Sequence, residues 1–545
     1  MPDRARGATR LARTRNPTKL ARRQSDVALS PAMTATTIII QASGGKGRRW
    51  QRAALDAASW AAVALLLVVL ALANPMNGDE DLFVAPAAVA ASARIYVDFL
   101  FLHMPLQAEL TRPFVALFPG YGFVALRVAM ALIGAALLGV VYGAQRGLGV
   151  ERRYAVIGTA LLACTYSFQF SCGVIRNDIL TALFSTAGAA VALVGLRHRP
   201  HGAPAWCAAG LLFSAAAAVR ISAAFPAAGA GLFLLAELAR GRMRPQVVAA
   251  FSAGAIVGLL PCLQAWLAAP QAFIYSVLTY PSTGNLYWDV TTGRQTLLSP
   301  AANIAITLGV LAVGPGLGAV LAVARALVRR EWTTARKEPH VLLLDFLIVA
   351  GAIGALLPAP SNFQEAMTFL PQVFIRLGLE WPQLLASAER IDRFAVRLMA
   401  FGAVVGCGYG LFVVAPRAGK AWPALAVTRQ AHWIGDRLRA AGANGFVSSF
   451  AARVVLDSGY ALDPRFTSGV FLYRTAALLS LAELARFHGI GAQNLTQALD
   501  QDPPAAIVVG GSAMDRRLRG YAVSHHYRRE TSPSGSYDLY IRRPG

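Results

Sequence analysis

Three carboxylates stand in a row in Asn77-Gly78-Asp79-Glu80-Asp81-Leu82-Phe83, directly after the apolar run Ala61 to Ala73. Acids that close to a bilayer need a partner, a water-filled cavity or a chemical job. The jobs open to them are proton transfer and cation binding. A second polar island, Arg176-Asn177-Asp178, lies between Cys172-Gly173-Val174-Ile175 and Ile179-Leu180. Asp178 also falls in the first turn of an expected helix, where an acid suits the helix dipole. Arg220 interrupts the apolar stretch Ala215 to Phe225; a phosphate partner and snorkelling to the headgroups account for it equally well.

The elements that must position these groups are membrane spans. The chain has 545 residues, is 56% hydrophobic and only 14% charged, and its mean hydropathy is +0.48. Runs of about 20 apolar residues recur along it, which excludes an ordinary soluble enzyme. About eleven spans are expected, at 54–74, 121–144, 152–171, 177–196, 203–219, 222–239, 246–267, 302–327, 340–358, 364–386 and 396–415. The fold class is therefore a polytopic α-helical membrane protein.

The net charge of +23 reflects topology rather than nucleic acid. The basic residues gather in alternate connections: Arg146, Arg152 and Arg153; Arg197 and Arg199; Arg240, Arg242 and Arg244; Arg325, Arg329, Arg330, Arg336 and Lys337; Arg390, Arg393 and Arg397. With residues 1–52 as a disordered, basic cytoplasmic leader, all these loops fall inside. Loops 75–120 and 268–301, and the tail after Pro416, then face outward. The five cysteines form no CxxC pair, so neither a disulfide framework nor a zinc-finger site is expected.

Both outward loops are too long to be simple connectors. The first contains a helical-looking stretch Asp81 to Ser92 and an amphipathic run Pro105 to Leu117; the second carries Tyr287 and Trp288, which read either as a membrane anchor or as a lid over a substrate groove. Residues 424–545 change composition and read as a small extracytoplasmic α/β domain. It has a helix over Thr428 to Ala441, strands at Gly445 to Phe450 and Ala505 to Val509, and a hairpin of Tyr521 to Tyr527 with Tyr537 to Ile541. Val509-Gly510-Gly511-Ser512 lacks the lysine and spacing of a nucleotide loop.

Taken together, the constellation resembles the GT-C membrane glycosyltransferases, in particular bacterial relatives of the protein O-mannosyltransferases and the lipid A aminoarabinose transferases. The resemblance rests on Asp79-Glu80 after the first span, His103-Met104-Pro105 opening a juxtamembrane helix, and Arg176-Asn177-Asp178 after the third span, and it extends over residues 54–415. His-Met-Pro departs from the commoner His-Pro-Pro, and Phe83 stands where the family often has Tyr. The resemblance implies an inner-membrane enzyme that moves a sugar from a polyprenyl-phosphate-linked donor to an envelope lipid, polysaccharide or protein on the outer face, with inversion. It implies Asp79 as general base, Glu80 orienting the acceptor, and Asp178 positioning donor or acceptor. Arg176, Arg220, Arg112 and His103 are its candidates for the leaving phosphate. Gln364 and Glu365 match a late-helix element facing the donor pocket; the bland alternative is a helix start with an acid in its first turn. No cofactor is expected beyond the lipid-linked substrate, although Asp79, Glu80 and Asp178 could bind a divalent cation. A lipid or glycan flippase, and a non-catalytic scaffold for envelope assembly, are the rival readings.

Overall fold

The computed structural model describes residues 54–199, 201–328, 338–358, 362–417 and 422–543. The expected leader, and Arg329, Arg330, Arg336 and Lys337 of the basic clusters, lie outside them. The chain divides into two units, residues 1–61 and 62–545; apart from the first turns of helix Ala54–Ala73, everything below concerns the second.

Among the described residues, six helices are long and apolar enough to cross a membrane: Ala54–Ala73, Gly122–Gly147, Asp178–His198, Ile221–Ala239, Pro339–Leu356 and Arg390–Arg417. Three bent pairs raise the number to nine if each is one span: Arg152–Ala163 with Tyr166–Gly173, Pro245–Gly258 with Leu260–Ala268, and Pro300–Ala312 with Gly316–Val328. By length and composition the described residues thus hold six to nine such helices, and the stretch expected at 203–219 is a shorter apolar helix, Ala203–Val219. The last bend reaches 111°, because Gly314, at φ +128°, packs on the backbone of Cys164 and Thr165. The expected span 364–386 is different in kind. Its first residues form a 3₁₀ turn, Glu365–Thr368, and the helix Leu370–Ala386 that follows carries Arg376 and Glu380.

The spans pack through small residues. Gly210, Gly254 and Gly258 lie so close to the facing helix backbone that a methyl group on any of them would collide with it. Between the first two long spans, helix Glu80–Ala88 and helix Leu106–Ala116 fill the first long loop. The second long loop is helical too, with a π-helical stretch Tyr275–Gly284 running into helix Asn285–Thr291.

From Pro423 onward the chain builds a four-stranded sheet flanked by helices. Strands β1 (Val447–Ser448), β2 (Ala506–Val509), β3 (Arg528–Thr531) and β4 (Asp538–Ile541) take the order β1-β2-β4-β3. β1 is parallel to β2, and β4 is antiparallel to both its neighbours. The expected first hairpin strand is displaced: Tyr521 to Ser524 end the helix Asp515–Ser524. Leu518, Tyr521 and Ala522 are the buried face of that helix, a helical rather than a strand period. In the glycine loop before it, the N–H groups of Gly510 and Ser512 donate to Asp515 at 3.0 and 3.3 Å, which consumes the donors a phosphate would need.

This sheet-bearing segment is fastened to the loops at one end of the spans. Leu462 N–H donates to Ala88 O at 2.7 Å, and Thr467 Oγ1 to Leu100 O at 2.9 Å. Asp457 accepts from the N–H of Gly122 at 2.7 Å and of Phe123 at 3.3 Å, and so caps the second long span from outside it.

Candidate active site

The acidic cluster is shaped by a turn. Asn77 Oδ1 accepts from the Asp79 N–H at 2.9 Å, and Glu80 Oε2 accepts from the Asn77 N–H at 2.9 Å, which starts helix Glu80–Ala88. This splits the three acids onto three sides. Asp81 turns to Arg453 of the C-terminal segment, at 3.3 Å. Glu80 turns inward to Arg127 Nη2 at 2.6 Å and also accepts from the Ile175 N–H at 2.9 Å. Only Asp79 keeps an accessible carboxylate, 41% exposed.

Arg127 lies six residues into an apolar span and is fully buried. Its guanidinium also donates to Ala71 O at 2.7 Å, Gly173 O at 2.6 Å and Pro75 O at 3.2 Å, satisfying carbonyls that helix ends leave free. It thereby ties the end of the first span to the end of helix Tyr166–Gly173. The two ends touch: a side chain at Gly173 would overlap Asn74.

From Asp79 an alternating row of charges runs across the helix ends. Asp79 pairs with Arg176, Arg176 Nε with Asp178 Oδ2 at 2.8 Å, Asp178 with Arg220, and Arg220 with Glu365. Arg220 reaches two carboxylates because it sits in an extended break, φ −153° and ψ 127°, between Ala203–Val219 and the next helix. Carboxylates on both sides hold the buried Arg176 guanidinium well above its usual range. Burial pushes the Glu365 carboxyl up, against the pull of Arg220.

The row forms the floor of a cavity of about 410 Å³. Asp79, His103, Arg176, Arg220, Gln364, Glu365 and Trp288 line it; Asp178, fully excluded from solvent, lies just behind its two arginines. Besides Asp178, three expected site residues do not line it. Glu80 is committed to Arg127, so it cannot orient an acceptor. Arg112 donates to Ala90 O and Ala91 O at 3.1 and 2.8 Å, closing helix Glu80–Ala88. Tyr287 is carried away from the cavity by the helical phase that turns Trp288 into it. Asp79, Glu80 and Asp178 therefore do not converge on one point, and no cluster of three metal-ligating side chains occurs among the described residues.

His103 stacks on Phe83 with ring centroids 4.8 Å apart. Burial, with Arg220 and Arg176 nearby, pushes its pKa down to about 3, so the ring is a neutral hydrogen-bonding group. Buried polar atoms on cavity residues that have no hydrogen-bond partner include Ser222 Oγ, Ser276 Oγ, Gln364 Oε1 and Glu365 Oε2. Such atoms suit a ligand rich in hydroxyl groups. Ser276 and Asn285 come from the second long loop, and Phe471 and Arg474 from the C-terminal segment. None of these four carries a local motif. Arg127 did carry a signal, a lone arginine inside an apolar span.

The chain resembles several solved structures over nearly its whole length. ArnT from Cupriavidus metallidurans bound to undecaprenyl phosphate superposes with a TM-score of 0.55 at 14% identity, covering 90% of this chain and 99% of that one. The same protein in the apo state gives 0.56 at 14% identity, covering 91% and 100%. The oligosaccharyltransferase of Archaeoglobus fulgidus, in complex with Zn and sulfate, gives 0.50 at 13% identity, covering 89% and 73%. The chain has the GT-C fold. No protein-family model and no curated protein sequence matches it. Within the GT-C fold the cavity lies where the long loops and the C-terminal segment meet the helix ends. Met104 and Ile221 line both this cavity and an apolar cleft of about 260 Å³ between the spans, bounded by Phe213, Ala217, Phe251 and Leu259.

Proposed function

We propose that the protein is an inner-membrane glycosyltransferase that moves a hexosyl or pentosyl group from a polyprenyl-phosphate donor to an envelope acceptor on the outer face, with inversion. The observation that carries this reading is the junction at Met104 and Ile221, where an apolar cleft opens beside Arg220 and His103 and leads to the half-exposed Asp79. A donor with its tail in the cleft brings its phosphate to Arg220 and the neutral His103, and its sugar over Asp79. The undecaprenyl phosphate bound by the ArnT structure supports a donor of this class. The Arg clusters in the alternate loops support an outward-facing cavity and a cytoplasmic N-terminus.

In the reaction, Asp79 accepts the proton of the acceptor hydroxyl as its oxygen attacks the anomeric carbon. The bond from that carbon to the phosphate oxygen breaks on the opposite face, which inverts the configuration. Arg220 and Arg176 hold positive charge where the leaving phosphate gains its negative charge. Gln364, Ser222 and Ser276 offer hydrogen bonds to the sugar hydroxyls.

The test is Asp79→Asn in native membranes, read by mass spectrometry of lipid-linked sugars and surface glycans. Loss of one glycan with accumulation of one lipid-linked sugar is expected. An unchanged glycan profile, from variants of Asp79 and Asp178 that still fold, overturns the reading.

A further inference from the structure

Four arginines line the cavity, and three are neutralised on the spot. Arg176 lies between Asp79 and Asp178, Arg220 between Asp178 and Glu365, and Arg294 Nη2 is 2.6 Å from Asp289 Oδ1. Arg474, on helix Gly469–Thr475 of the C-terminal segment, has no carboxylate partner among the described residues. Its guanidinium instead lies over aromatic rings, 4.9 Å from the centroid of Trp288 and 4.7 Å from that of Phe471, with the Tyr280 hydroxyl as a hydrogen-bond partner. Its Nε is buried and makes no hydrogen bond.

A charge held this way is exposed to whatever enters the cavity. The floor carries three carboxylates against two guanidiniums, so among the cavity arginines Arg474 is the one whose charge no carboxylate offsets. The lipid phosphate belongs at the other attachment point, next to Met104 and Ile221, where the apolar cleft begins. Asp79 and Arg474 line the same cavity, so an acceptor with its hydroxyl at Asp79 shares that cavity with the Arg474 guanidinium.

We infer that Arg474 and Trp288 form an acceptor subsite for an acidic sugar, with the ring beside the indole and its single carboxylate in the guanidinium fork. One unpaired guanidinium matches one carboxylate in charge, and the fork matches it in shape. The inference rests on the glycosyltransferase reading and names its acceptor class. It also explains why the C-terminal segment reaches into a site otherwise built by the membrane domain: that segment supplies the selectivity.

The experiment uses the full-length protein in detergent, with D-glucuronate, D-glucose and inorganic phosphate as probes and saturation-transfer NMR as readout. Glucuronate is expected to bind about tenfold or more tighter than glucose. Arg474→Gln abolishes that preference at unchanged thermal stability, and Arg474→Lys, which keeps the charge without the fork, retains part of it. Trp288→Ala weakens both sugars alike. Equal binding of the two sugars by the wild type, or an undiminished preference in Arg474→Gln, overturns the subsite. So does an Arg474→Gln variant that loses phosphate but not glucuronate, since Arg474 would then serve the donor. These binding readouts do not depend on turnover. Full transfer by Asp79→Asn would instead sink the proposed reaction and leave the sugar preference standing.

Discussion

Glu80 Oε2 and Arg127 Nη2 lie 2.6 Å apart with both side chains fully excluded from solvent. Neither lines the cavity, yet together they hold the backbone on either side of it, through the N–H of Ile175 and the carbonyls of Ala71, Pro75 and Gly173. The adjacent residues Asp79 and Arg176 owe their encounter to this clamp.

Breaking the clamp on one side leaves an uncompensated buried charge. Arg127→Met is expected to cost about 3–5 kcal/mol, read as a lowered unfolding temperature in detergent. Replacing both partners, Arg127→Met with Glu80→Met, restores part of that loss. A double variant as unstable as the single one contradicts this account.

Asp79 and Asp178 differ in the same row. Asp79→Asn removes an accessible carboxylate and is expected to lower transfer by roughly 10²–10⁴-fold, with little change in unfolding temperature. Asp178→Asn leaves Arg176 and Arg220 short of a buried partner and lowers stability together with activity. The measurement is a paired assay of initial rate and thermal unfolding on both variants.

Arg220 serves two carboxylates at once. A lysine has no planar fork with which to do so, so Arg220→Lys should raise the KM for the lipid-linked donor several-fold while the protein still folds. Arg220→Met, which strands Asp178 and Glu365, should be far less stable than the lysine variant. A donor KM unchanged in Arg220→Lys would remove Arg220 from the phosphate site.

Asp81 gives the contact with the C-terminal segment a pH dependence. Burial raises its pKa to about 6, only partly offset by Arg453. A carboxyl whose pKa is raised by folding favours the native state below the unfolded value of 3.8 and loses that contribution as pH rises through about 6. Between these limits the loss amounts to up to roughly 3 kcal/mol. Asp81→Asn should flatten this part of the stability profile, as followed by thermal unfolding from pH 4 to 7. An Asp81→Asn curve parallel to the wild type removes Asp81 as its source.

The helices were legible wherever burial and period coincide. The long apolar runs ending at Ala73, Gly147 and Leu356 declared themselves, because lipid demands uninterrupted apolar length. At 364–386 the helix starts later than expected: Gln364 and Glu365 are polar because they line a cavity, and helix Leu370–Ala386 begins only after them. The strand expected at Tyr521 to Tyr527 failed because a short apolar run fits either period until its neighbours are known.

The sequence by itself determined that this is a helical membrane chain, and that Asp79 and the Arg176-Asn177-Asp178 island are its exceptional charges, since only cost and sidedness were needed to see it. Tertiary structure decided which acid is accessible. Asp79, Glu80 and Asp81 are adjacent in the chain and differ only in direction, and direction is set by partners distant in sequence: Arg176, Arg127 and Arg453. The same holds for Arg474, one basic residue among many, which acquires its meaning only where a fold lays it over Trp288 at the mouth of someone else's charges.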